Sequence, residues 1–82
     1  MKKINLEHLL KLIAEALDIP DDQLTIDSSS ENISEWDSLG HLSILSTLDK
    51  IISGEIADIS ELGEAESVRS IKAILEANGY LE

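Results

Sequence analysis

Asp37-Ser38-Leu39-Gly40-His41-Leu42-Ser43-Ile44-Leu45-Ser46-Thr47-Leu48-Asp49-Lys50-Ile51-Ile52 is the stretch on which the fold turns. Leu39, Leu42, Leu45, Leu48 and Ile52 recur at steps of three and four, with Ile44 and Ile51 flanking them, so the segment predicts an amphipathic helix that buries this stripe. Asp37 has the short acceptor side chain favoured at an N-cap, which makes Ser38 the first helical residue. Ser53-Gly54 is the expected stop.

Upstream, Leu6, Leu9, Leu10, Ile13, Ala16 and Leu17 trace one face of an earlier helix, with Asn5 as its cap. Pro20 forces Ile19 out of helical geometry, which ends that helix near Asp18. Residues 18–37 then hold seven acids and neither Lys nor Arg, around Ser28-Ser29-Ser30. A connection this long inside a small domain is usually functional or disordered. Leu24, Ile26, Ile33 and Trp36 favour one pinned to the core. Downstream, Ile56, Ile59 and Leu62 are spaced for a short helical turn limited by Gly63. Ser67 caps a last helix with Val68, Ile71, Ile74 and Leu75 buried. Asn78-Gly79 closes it with a left-handed signal that folds Tyr80 or Leu81 back onto the final turn. The expected fold is all-α: a small four-helix bundle of three main helices plus a short one before the last, in a single domain over 1–82.

Composition narrows the function classes. The chain has 82 residues, 6 Lys and Arg against 17 Asp and Glu, and a formal charge of −11. Phosphate backbones select for Lys and Arg, so this balance argues against nucleic acid, and against anionic membrane surfaces for the same reason. It suits a partner with a basic surface. No apolar run is long enough to span a bilayer. Without cysteine there is no disulfide framework or thiolate metal site, which fits a reducing compartment such as the cytoplasm. Thirteen Leu and twelve Ile, one Val and no Phe give an aliphatic interior, too rich for disorder despite the charge.

Chemistry concentrates at Trp36-Asp37-Ser38-Leu39. A serine opening a helix projects its hydroxyl beside unsatisfied backbone N–H groups, where the helix dipole favours an attached phosphate. Taken alone, the tripeptide is better explained as merely a well-capped helix start, since helix starts are everywhere. His41 neighbours Ser38 on the helix, but no third residue orients the imidazole and no G-x-S-x-G turn is present, so hydrolysis is not expected and no catalytic residue is assigned. His41 is read as a surface residue near Ser38, and His8 as solvated. The acidic loop lacks the glycine and closing glutamate of a calcium loop, and no metal site is assigned. Trp36 is read as a core anchor and Tyr80 as terminal packing.

Taken in order, these residues resemble the discrete acyl carrier proteins. The likeness rests on Asp37-Ser38-Leu39 at the start of the second helix, on the first helix and long loop before it, and on Leu42, Ile44, Leu45, Leu48 and Ile52 after it. It extends through the acidic segment to Ser67-Val68 opening the last helix, and so covers essentially the whole chain. The resemblance implies a 4′-phosphopantetheine arm attached covalently to Ser38, with Asp37 and Leu39 flanking the attachment. It implies a phosphopantetheinyl transferase as one partner, since Ser38 has no base of its own. Acyl-transferring or acyl-activating enzymes with basic docking surfaces are the others, meeting Gly40, His41, Asp49, Glu55, Asp58 and Glu61 of a monomeric carrier. The chain would then be a shuttle rather than an enzyme, serving fatty-acid, polyketide, or specialised lipid or polysaccharide synthesis.

Departures from the pattern matter. The second helix is only weakly acidic, with Ser43, Asp49 and Lys50 where fatty-acid carriers cluster acids, and Gly40 replaces a common acid. These point to a specialised carrier at least as much as to ordinary fatty-acid synthesis. The aliphatic interior is compatible with a sheltered alkyl chain and equally with a plain core. Aminoacyl cargo remains an alternative, although the lack of a Gly-Gly-His/Asp-Ser run favours acyl groups. The competing function class is an unmodified acidic adaptor that binds a basic protein through the loop and residues 55–66.

Overall fold

The computed structural model of the chain describes residues 4–52 and 59–81. Three α-helices, α1 (Leu6–Leu17), α2 (Ser38–Ile51) and α3 (Val68–Ala77), are joined by a 3-10 turn at Asp21–Gln23 and a 3-10 helix at Ser60–Glu64. The described residues form no strand; two isolated bridges join Ile4 to Leu81 and Ser29 to Ser67. None of their helices is long and apolar enough to cross a membrane.

Each α-helix starts where a short polar side chain takes up an orphan amide. Asn5 Oδ1 accepts from the His8 N–H at 2.8 Å, Asp37 Oδ1 from Gly40 at 2.8 Å, and Ser67 Oγ from Ser70 at 3.1 Å. α1 ends at Asp18, whose left-handed backbone (φ 58°) returns its N–H to the Ala14 and Glu15 carbonyls. α3 ends at Asn78, and Gly79 adopts φ 81°. That turn brings the Tyr80 N–H onto the Leu75 carbonyl at 2.9 Å, and both Tyr80 and Leu81 are buried.

The core is aliphatic. Leu9 and Ile13 of α1, Ile44 and Leu48 of α2, Leu62, and Val68, Ile71 and Leu75 of α3 are its fully buried side chains. α1 buries more than the expected face, because Leu12 and Ala14 are also inside. In α2 the expected stripe is rotated. The buried line runs Ile44, Leu48 and Ile52, while Leu39 and Leu42 are 75% and 61% exposed. Two adjacent apolar faces occupy α2, and the one carrying Ile44 meets α1 and the core.

The acidic connection is held down, as expected. Leu24 and Trp36 are buried, and Ile26 and Ile33 pack partly against the core. It is also tied to the start of α3. The Val68 N–H donates to the Ser28 carbonyl at 3.0 Å and the Ser30 N–H to the Glu66 carbonyl at 2.8 Å, and Arg69 pairs with Asp27 at 2.7 Å. Within the loop, Asn32 Oδ1 accepts from the Ser29 N–H and Asn32 Nδ2 donates to the Asp27 carbonyl.

The short helix before α3 differs from its expected limits. Gly63 lies inside Ser60–Glu64 instead of ending it, and Leu62 is the residue it buries. Ser53-Gly54, Glu55, Ile56 and Asp58 lie outside the described residues.

Candidate functional site

Ser38 is exposed, and it is the first residue of α2. The extended backbone of Asp37 (φ −99°, ψ −167°) turns the chain into the helix, and its carboxylate secures the Gly40 amide. The hydroxyl of residue 38 thus sits at the positive end of the helix dipole. Asp37→Ala should lower stability by about 1 kcal/mol through loss of this cap, readable as an earlier midpoint in urea.

Beside Ser38 opens a groove of about 570 Å3 between α2 and the segment leading into α3. Leu42 and Leu45 line it from the helix, Gly63, Ala65 and Glu66 from the opposite segment, and Ser30 from the loop, with Trp36 and His41 between. A second hollow of about 310 Å3 shares Leu45 and Gly63 with it. Apolar side chains and a few polar groups beside an exposed hydroxyl are suited to holding an extended, mixed-polarity group attached there.

His41 is not the free surface residue that the sequence suggested. Its Nδ1 accepts from the Trp36 indole N–H at 3.1 Å, and its Nε2 lies 2.7 Å from the Leu62 carbonyl oxygen. An indole N–H can only donate and a carbonyl can only accept, so the two partners select the neutral tautomer with hydrogen on Nε2. The two rings lie side by side, 14° from coplanar. Trp36, only 3% exposed, is thereby both a core anchor and the donor that orients His41. This chain of bonds ties the start of α2 to the 3-10 helix across the groove.

Gly40 has a packing role that its place in the sequence does not announce. A Cβ there would collide with the Glu35 carbonyl oxygen and approach Leu17 Cδ2 to 2.8 Å. Its bare backbone permits close packing between helix start and loop. Of the remaining expected partner-facing residues, Glu61 is exposed, Asp49 is partly buried in the second hollow, and Glu55 and Asp58 lie outside the described residues. Leu39 and Leu42, exposed on α2 near Ser38, do not occupy the core positions that spacing alone predicts. The signal for their true position was the surplus of apolar residues on α2 beyond a single buried face.

Among the described residues no group of three or more His, Asp or Glu is arranged to hold a metal ion. Comparison with protein-family models, curated proteins and solved structures finds no match to this chain. What is established is a small all-α bundle with an exposed serine opening its second helix beside a groove.

Proposed function

We propose that the protein is a carrier in which Ser38 bears 4′-phosphopantetheine and moves acyl or related groups between enzymes. The observation that carries this reading is the exposed Ser38 at the first position of α2, at the edge of a groove lined by both apolar and polar side chains. The residues present fit such an arm. The first turn of α2 favours the phosphate, and Leu42, Leu45 and Ala65 offer apolar contact to the stem. Ser30, also in the groove's lining, offers a polar partner to the arm's amides.

Attachment forms a bond between Ser38 Oγ and the phosphorus nearer the pantetheine of coenzyme A. The phosphoanhydride bond breaks, adenosine 3′,5′-bisphosphate leaves, and the serine proton passes to a base of the transferase. Ser38 has no base of its own: the imidazole closest in sequence, His41, is committed through both ring nitrogens to Trp36 and Leu62. The chain is therefore a substrate and shuttle on this reading, and its partner enzymes present basic surfaces to its −11 charge. The arm's thiol supplies the thioester chemistry. Such a carrier works in the cytoplasm, where coenzyme A is at hand.

Incubation with coenzyme A, magnesium and a broad-specificity phosphopantetheinyl transferase, followed by intact mass, tests this directly. The expected result is a gain of one phosphopantetheinyl group, absent in Ser38→Ala. A folded sample that gains nothing removes the carrier reading and leaves the unmodified acidic adaptor.

A further inference from the structure

Trp36 and His41 form a polar link in which only the neutral ring can take part. The indole N–H belongs to a residue only 3% exposed, and it donates to His41 Nδ1 at 3.1 Å. On its other side the ring meets the Leu62 carbonyl oxygen, 2.7 Å from Nε2. A neutral imidazole has one acceptor nitrogen and an imidazolium has none. Adding a proton therefore sets an N–H on Nδ1 against the indole N–H, donor against donor. The bond from Nε2–H to the Leu62 carbonyl survives and is strengthened by the charge. The buried indole N–H is left without an acceptor, a cost that favours a shift of Trp36 toward water.

The charges around the ring favour its protonated form once the link is open. At the end of the loop and the entry to α2 they are Glu35 and Asp37; on the 3-10 helix and the segment after it they are Glu61, Glu64 and Glu66. All five are exposed acids, and Asp37 and Glu66 line the same groove as the ring. Of the cations, Arg69 at the start of α3 is paired with Asp27, and Lys50, like Asp49 beside it, lies more than two turns further along α2.

We infer that the Trp36–His41 link is a proton-operated latch at the groove beside Ser38, closed while His41 is neutral and open once it is charged. Trp36 directly precedes the cap residue Asp37, so its release loosens the joint between the acidic connection and the first turn of α2. The sign follows from linkage. Only the open form accommodates the added proton, so falling pH opens the latch and rising pH closes it. Histidine is the side chain whose charge ordinarily changes between about pH 5 and 8. The latch operates whether or not Ser38 is modified.

The unmodified full chain tests this. Trp36 is the single tryptophan, so one indole N–H signal reports the latch while nitrogen-15 shifts of the His41 ring report its charge, followed from about pH 8 to about pH 5. The indole signal is expected to move along the His41 curve. Its protection from hydrogen exchange, relative to a free tryptophan amide at the same pH, should fall about tenfold, the worth of one hydrogen bond. His8 is the other histidine and stands exposed on α1; His8→Ala should leave the response intact. His41→Gln, with no titrating group at 41, should give an indole signal that is flat over the same range. An indole that stays fixed while His41 charges, a ring that stays neutral throughout, or a response that follows His8 overturns the inference. Coincidence of the two curves in the unaltered chain decides the matter where His41→Gln fails to fold. A chain that takes the arm at Ser38 but whose indole ignores pH retains the carrier reading and loses the latch. A chain that shows the latch but takes no arm does the reverse.

Discussion

Gly40→Ala is expected to destabilise the protein by about 2 kcal/mol, although the same change in an exposed helix interior gains about 1 kcal/mol. The sign reverses because the new methyl group would strike the Glu35 carbonyl oxygen and press on Leu17 Cδ2. The Leu17 methyl can move aside. The carbonyl belongs to a turn held by the Trp36 N–H bond to the Ile33 carbonyl at 3.0 Å, so it moves only if the turn does. Overpacking of this kind costs about 1–3 kcal/mol. Urea unfolding followed by Trp36, the single tryptophan, checks the prediction. An unchanged or later midpoint would mean that the loop and the start of α2 do not approach as described.

Replacing His41 with phenylalanine should cost about 2 kcal/mol, or about 10 °C in melting temperature for a domain of this size. The ring volume is kept and both hydrogen bonds are lost. The heavier consequence falls on Trp36, whose buried indole N–H loses its acceptor; the Leu62 carbonyl still receives the Ala65 N–H at 3.3 Å. In a Trp36→Phe background the same replacement should cost clearly less, because no donor is then left unsatisfied. Thermal melts of the four proteins measure the difference. Equal costs in both backgrounds would remove the Trp36–His41 bond from the account. Nitrogen-15 shifts of the His41 ring give a second check, with hydrogen expected on Nε2 and none on Nδ1.

The starts of the three α-helices and the ends of α1 and α3 were legible because they depend on local chemistry. Asn5, Asp37 and Ser67 each have a short acceptor side chain where a helix must begin, and each makes the expected bond. Pro20 and Gly79 act through backbone geometry that is equally local. The buried face of α2 was not legible. Leu39, Leu42 and Leu45 form one apolar line and Ile44, Leu48 and Ile52 another, and a periodicity of three and four is satisfied by either. Only the position of α1 and the loop decides between them. The exposed state of Ser38 followed from its place next to the cap. The roles of Gly40 and His41 did not, since each depends on a residue far along the chain that folding brings into contact: Leu17 for one, Leu62 for the other. The tie between Ser28–Ser30 and Glu66–Val68 was hidden for the same reason, as serines in an acidic loop announce no partner.

That tie bears on how the chain acquires its shape. Ser29 and Ser67 are thirty-eight positions apart and meet as a bridge, so the two ends of this stretch close a loop of backbone that includes α2. Long-range closures carry a larger entropic toll than local turns and come after them during folding. α1, α2 and α3 can each begin from their own caps, whereas the clasp forms only when the first turn of α3 has docked. The acidic crossover, already anchored by Leu24 and Trp36, therefore gains these further ties only once a helix made after it has docked.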